Sequence, residues 1–225
     1  MHITMYENLL CLPYFQGMGK DDITAILDKV KMEFTTHSDK ETLCTKGSEC
    51  NRFTIITKGE ATSVATDSEG TYSITEEHKA PYAIEPYSIF GYDTQYKRTY
   101  TAKESCTTLS IEKSSFFGEL SKHNIFIINF MNLISRKAQI ADTAIWNLTP
   151  TSIEGRIIAF IAQRCETTYG CKRLNIKMER LAEILCETRL NVSRALNNLQ
   201  DKGLVTLNRK EVYIPEFKEL LPHIK

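Results

Sequence analysis

KMERLAEILCETRLNVSRALNNLQDKGL, residues 177–204, reads as two short amphipathic helices around a tight turn. Leu181, Ala182, Ile184 and Leu185 make the inward face of the first, and Val192, Ala195, Leu196 and Leu199 that of the second. Both sets follow the three-and-four spacing that keeps side chains on one side of a helix. Thr188 offers a hydroxyl to cap the second helix, and Gly203 supplies the backbone freedom that ends it. A helix-turn-helix needs a small residue where the helices approach, a turn residue, and a β-branched wedge between them; Ala182, Cys186 and Val192 stand in those places. The turn position is commonly glycine, so Cys186 is expected to carry a left-handed strain of roughly 1 kcal/mol. The outward face of the second helix is Arg, Asn and Ser, which suits contact with DNA.

Periodicity alone would also fit any helical pair. The chain that follows narrows the reading: Leu204-Val205-Thr206-Leu207, a polar turn at Asn208-Arg209-Lys210, then Val212-Tyr213-Ile214. Two short alternating runs around a polar turn make a hairpin, so the unit is expected to be a winged helix-turn-helix.

The sequence TRLNVSRALNNLQDKGLV, Thr188 to Val205, resembles the reading element of the CRP/FNR-type bacterial transcription regulators, and the resemblance extends over nearly the whole chain. It implies an α+β fold in three parts. Residues 1–122 would form an N-terminal antiparallel β-roll, a cyclic-nucleotide-binding-like jelly roll. Residues 123–147 would form a long dimerisation helix, and residues 148–225 a C-terminal winged helix-turn-helix. The resemblance further implies a homodimer on a palindromic site in double-stranded DNA, with RNA polymerase as a further partner.

Formal net charge is zero over 225 residues, but it is unevenly placed. Residues 150–225 hold 13 Lys/Arg against 9 Asp/Glu, leaving 15 against 19 for the rest. A positive C-terminal part fits a phosphate-binding footprint. No apolar run reaches membrane-span length, and MHITMYENLL lacks a basic segment followed by an apolar one, so the expected place is the cytoplasm. Seven scattered cysteines without a C-x-x-C pair read as free thiols. Iron-sulfur members of the family carry a compact N-terminal cysteine cluster; here only Cys11 precedes the roll, so no such cluster is expected.

Along the chain, a short helical lead-in from Met5 to Lys31 gives way to short β-rich runs between Met32 and Ile111: Phe34 to Thr36, Thr42 to Cys44, Phe53 to Thr57, Ala61 to Thr66, Tyr72 to Thr75, and Cys106 to Ile111. This spacing predicts an antiparallel roll or barrel. Lys46-Gly47 and Lys58-Gly59-Glu60 are expected turns, and Asp67 to Gly70 an expected hairpin tip. From Asn124 to Ile145 an uninterrupted helical pattern carries Ile127, Phe130, Met131, Ile134, Ala138, Ala141 and Ile145 as one stripe, fewer apolar positions than a helix that also had to cover a second sheet surface would need. We read it as a two-chain coiled coil. Pro150 makes Asn147 to Ser152 a hinge, with Thr151 or Ser152 capping the next helix. That helix, Ile153 to Arg164, is expected to bury Ile157, Ile158, Phe160 and Ile161. Gly155-Arg156 matches the family pattern, and the segment from Cys165 to Leu174 should be a loop ending in a short strand.

The resemblance places an effector cassette between Ile84 and Cys106. Cyclic-nucleotide binders carry there a Phe-Gly-Glu motif for the ribose and an Arg-Ser pair for the cyclic phosphate. This chain has Phe90-Gly91-Tyr92 and Arg98-Thr99, so Gly91, Tyr92, Arg98 and Thr99 are the candidate pocket residues. Arg fits a phosphate because its planar donors match two oxygens at once. Tyr92 brings no negative charge, and its bulk can fill the pocket. The usual mode of cyclic AMP binding is therefore not expected. Arg98 has an alternative role in an ion pair with Asp93 or Glu104. Haem is a further candidate effector, with His2, His37, His78, His123, His223 or a cysteine as axial ligand.

For DNA, the family pattern assigns Arg189 and Arg194 to base edges and Thr188, Asn191 and Ser193 to phosphate or base contact. Lys177, Arg209 and Lys210 suit phosphates. Leu190 stands where the family commonly has a Glu that accepts from cytosine, so a different half-site is expected. A regulatory module whose C-terminal domain contacts protein is the alternative reading. The sequence offers no nucleophile and base pair, metal-ligand spacing or phosphate loop to support an enzyme.

Overall fold

The computed structural model describes residues 9–147 and 150–224. His2, the start of the lead-in at Met5, and Leu148 and Thr149 of the expected hinge lie outside them, as does the side chain of Ile145. The chain clusters into two compact units: Met1–Thr62 with His78–Gln139, and Ser63–Glu77 with Ile140–Lys225.

In the first unit, helix α1 (Lys20–Lys29) precedes strands β1 (Met32–His37), β2 (Thr42–Cys44), β3 (Arg52–Thr66), β5 (Tyr82–Ile84) and β6 (Thr99–Glu112), while the end of β3 and most of β4 (Tyr72–Lys79) fall in the second unit. Strand β6 pairs antiparallel with β1, from Met32↔Ile111 to His37↔Cys106, and with β2; β5 pairs with β3. Helix α2 (Lys113–Gly118) follows, then the long helix α3 (Asn124–Asn147). Phe53 packs edge-on against Phe116, Phe126 and Phe130, so the roll and α3 share one aromatic core.

Two expectations are corrected here. The runs Phe53 to Thr57 and Ala61 to Thr66 are one strand, β3, with no turn between them. Gly59 sits within it at φ 81°, where a Cβ would come 2.3 Å from the Ser105 carbonyl oxygen. The glycine serves close approach of a neighbouring backbone and not a reversal. The stripe on α3 also divides. Phe126 and Phe130 are buried and Ile127, Leu133 and Ile134 pack on the unit's own core, while Ile128, Met131 and Ile140 stand exposed. This helix carries enough apolar positions for both an inner and an outer face.

The second unit contains α4 (Ile153–Ala162), β7 (Lys172–Ile176), α5 (Met178–Ile184), α6 (Arg189–Asp201), β8 (Thr206–Asn208), β9 (Glu211–Ile214) and α7 (Phe217–Leu220). Ser152 caps α4 by accepting from the Gly155 amide at 3.0 Å. The residues expected to be buried in α4 and α6 are buried, as are Leu181, Ala182 and Leu185, whereas Ile184 is only partly so.

The hairpin joining β3 to β4 belongs to this unit. Asp67 closes its tip by accepting from the Thr71 and Tyr72 amides. Strand β4 then pairs with β7, from Tyr72↔Ile176 to Glu76↔Lys172, and extends the sheet β7-β9-β8. Ile74 enters the core beside Ile158 and Leu174. At the far end the Lys172 ammonium meets the Glu76 carboxylate at 2.7 Å, with the two side chains 0% and 1% exposed. The Glu166 and Thr167 amides donate to the same carboxylate, and Lys172 also donates to the Thr167 hydroxyl. A buried pair of this kind is tolerable only with such additional hydrogen bonds around it.

Glu76→Gln, which leaves the Lys172 ammonium buried without its anion, should cost ~3–5 kcal/mol, and Glu76→Leu combined with Lys172→Met should recover most of it. Urea unfolding of the three proteins measures both.

Candidate nucleic-acid interface

Helix α5 ends in a double reversal bond: the Cys186 amide donates to Glu183 O at 3.1 Å and the Glu187 amide to Ala182 O at 2.9 Å. This Schellman arrangement needs a left-handed residue at its centre, and Cys186 supplies it at φ 52°. The strain expected of a non-glycine turn is therefore present. Helix α6 ends the same way around Gly203, at φ 73°. Thr188 caps the start of α6 by accepting from the Asn191 amide at 3.2 Å.

Arg156 of α4 buttresses the turn. It donates from Nη1 to Leu185 O at 3.0 Å and from Nη2 to the Glu187 carboxylate. Asn191 Nδ2 donates to the other Glu187 oxygen at 3.1 Å. The hydrogen bonds from Asn191 and then Arg156 hold the Glu187 carboxyl below its ordinary range. Asn191, a candidate DNA contact, is thus half-buried and engaged in fixing the turn, and Ser193 is also half-buried.

Lys177, Thr188, Arg189, Arg194, Arg209 and Lys210 are all exposed, and so is Leu190 at 58%. Strands β8 and β9 pair in register, with Asn208↔Glu211 closing the two-residue turn Arg209-Lys210. A cleft of about 260 Å³ between wing and helices is lined by Lys177, Arg189 and Lys210 together with Glu179 and Asn208. Arg194 and Arg209 do not line it. Within the cleft Arg189 Nε lies 3.4 Å from a Glu179 oxygen. Neither Glu179 nor the buttressing role of Arg156 was legible in the sequence: the Arg189–Glu179 contact crosses the turn and follows no helical spacing, and Gly155-Arg156 stood out only as a pattern.

In the first unit, the loop between β5 and β6 holds the effector cassette. Glu85 is fully buried at φ 36°, accepting from Ser88 Oγ at 3.0 Å and from the Lys97 amide at 2.7 Å. Arg98, whose side chain is 12% exposed, places Nη1 3.9 Å from the other Glu85 oxygen and donates to the Tyr87 hydroxyl at 3.2 Å. The alternative expected for Arg98 is corrected, because Asp93 pairs with Lys97 and the carboxylate facing Arg98 is Glu85. Thr99 Oγ accepts from the Lys46 amide. Tyr92 is fully exposed and fills no pocket: Gly91, at φ 98°, sits beside it at the turn of a loop with only five residues between Tyr92 and Arg98. Among the histidines, His37 is bonded to Glu41 and Thr108, and His78 is buried against the Tyr82 ring at 4.1 Å. Burial pushes the Cys44 thiol up to about 12 and raises those of Cys50 and Cys106.

Two family models cover separate stretches of the chain. One, described as a cyclic nucleotide-binding domain, matches residues 35–123; the other, a Crp-like helix-turn-helix domain, matches residues 155–222. The chain thus joins a cyclic nucleotide-binding domain to a Crp-like helix-turn-helix domain, the make-up expected of a CRP/FNR-type regulator. Solved structures share the fold at low identity. Catabolite Activator Protein from Thermus thermophilus aligns at 17% identity and TM-score 0.54, covering 94% of this chain and 97% of that one. A CRP/FNR-family transcriptional regulator from Eubacterium rectale aligns at 18% and 0.55, covering 95% and 98%. The c-di-GMP-responsive regulator CLP of Xanthomonas campestris aligns at 14% and 0.52, covering 88% and 99%. No curated protein matches by sequence. The chain is accordingly a CRP/FNR-like transcription regulator with a cyclic nucleotide-binding-like domain and a DNA-binding helix-turn-helix. Among the described residues no helix is long and apolar enough to cross a membrane.

Cys186→Gly should raise the unfolding free energy by about 1 kcal/mol by removing a left-handed side chain, read by thermal or chemical denaturation. Glu179→Gln should tighten DNA binding on matched and scrambled duplexes alike, because it removes an anion from a cleft of cations; a gel-shift titration measures it.

Proposed function

We propose that the protein acts as a homodimer that reads a palindromic DNA site, with α6 in the major groove and the wing on the backbone. The observation that carries this reading is the folded helix-turn-helix and wing with Lys177, Arg189 and Lys210 gathered around one exposed cleft. Arg189 and Arg194 suit guanine edges, while Lys177, Arg209 and Lys210 suit phosphates. Leu190 can touch a thymine methyl but cannot accept a hydrogen bond, which argues for a half-site of its own. Ile128, Met131 and Ile140, exposed on α3, support a second copy packing along that helix. In a two-fold dimer, effector control would favour the arrangement in which the two reading heads match the half-site spacing. RNA polymerase is the downstream partner this role calls for, and the cytoplasm its place of action. The cassette, with Tyr92 instead of a carboxylate directly after Gly91, favours a sensor that does not take cyclic AMP in the usual way.

Selection from a random DNA pool by the purified protein, with and without cyclic AMP, tests the reading. Enrichment of a palindrome without ligand is expected, and no enrichment in either arm would refute it. On the selected site Arg189→Ala should cost ~1–3 kcal/mol and relax one base position, while Lys210→Ala should weaken all sequences about equally. Equal losses on matched and scrambled DNA for Arg189→Ala would remove that residue from base reading.

A further inference from the structure

We propose that the β5–β6 loop is a self-liganded anion site, in which the Glu85 carboxylate occupies the place an external anion would take on Arg98. The inference deepens the effector half of the proposed function and rests on it.

Four features meet at Glu85. Its carboxylate is fully buried, a position that an anion holds only with charge and hydrogen bonds supplied. One oxygen takes a hydroxyl and a backbone amide, from Ser88 and Lys97, and the other faces the Arg98 guanidinium. Its backbone sits at φ 36°, a conformation a glutamate adopts only where its surroundings hold it there. Finally, Arg98 is itself largely buried, so any competing anion must displace a carboxylate already desolvated and bonded. Hydroxyl, amide and guanidinium together are the donor set that would hold a phosphate monoanion or a cyclic phosphodiester.

The site also has a route outward. Arg98 donates to the Tyr87 hydroxyl, and the Tyr87 ring lies 4.9 Å from the Lys137 ammonium on α3. A change of occupant beside Arg98 is therefore felt at the long helix through a cation–π contact. With Glu85 in place that contact is set without any soluble ligand.

Isothermal titration of the full-length protein with cyclic AMP and, separately, inorganic phosphate tests this. Wild type should show no saturable binding of either. Glu85→Gln should gain at least ~10-fold in affinity for one or both probes, because it removes the negative charge that faces the Arg98 guanidinium. Glu85→Gly should gain similarly, and glycine accepts the positive φ of this position without strain. Arg98→Gln added to either variant should abolish the gain. Wild-type binding that falls on Arg98→Gln would overturn the proposal, and so would the absence of a gain in both Glu85 variants or a gain that survives loss of Arg98. Gel shifts of the same preparations on selected DNA keep the two readings apart. Wild type that binds no DNA refutes the regulator reading, whereas the anion titrations judge Glu85 alone.

Discussion

A lysine and a glutamate removed from water together are tolerable only if each finds the other and further hydrogen bonds surround the pair. Lys172 and Glu76 satisfy that condition, and much of the reading head's architecture follows from it. The pair fixes one end of the β4–β7 ladder, the Glu166 and Thr167 amides close the loop before β7 onto the same carboxylate, and Ile74 is delivered into the core. At the other end Arg180 of α5 reaches Glu69 and Thr71 at the hairpin tip. The first helix of the DNA-reading motif is thus held from below by its core and from the side by polar contacts to a hairpin tip more than a hundred residues earlier.

The turn of the motif is organised by charge in a comparable way. A cysteine at φ 52° is strained, yet Arg156 binds the carbonyl just before it and, through Glu187, the residue just after it. Asn191 completes the clamp from the first turn of α6. The orientation of the recognition helix is therefore set by hydrogen bonds that leave Arg189, Leu190 and Arg194 facing outward.

The helices of the reading head were legible because amphipathic spacing, a capping threonine and a terminal glycine are local signals. The same holds for the wing turn and for the hairpin tip at Asp67. What the sequence could not show is long-range. Gly59 reads as a turn until the Ser105 carbonyl is seen against it, and α3 reads as a one-faced helix until Phe126 and Phe130 are found in the roll's core. Glu85 gave no signal at all, since its partners Ser88, Lys97 and Arg98 are gathered by a loop whose path no periodicity describes. Of the candidate contacts, Asn191 and Ser193 turned out half-buried, a distinction that depends on the angle between two helices rather than on residue type.

The hairpin from Ser63 to Glu77 has a consequence for how such proteins are taken apart and recombined. By sequence the natural cut lies near Pro150, and a reading head excised there would look complete. It would nevertheless leave β7 with a bare hydrogen-bonding edge, Lys172 with no carboxylate, and a gap where Ile74 sat. Portability of this module is therefore a property of two separated pieces of chain, and a chimera that inherits only the later one inherits an open sheet.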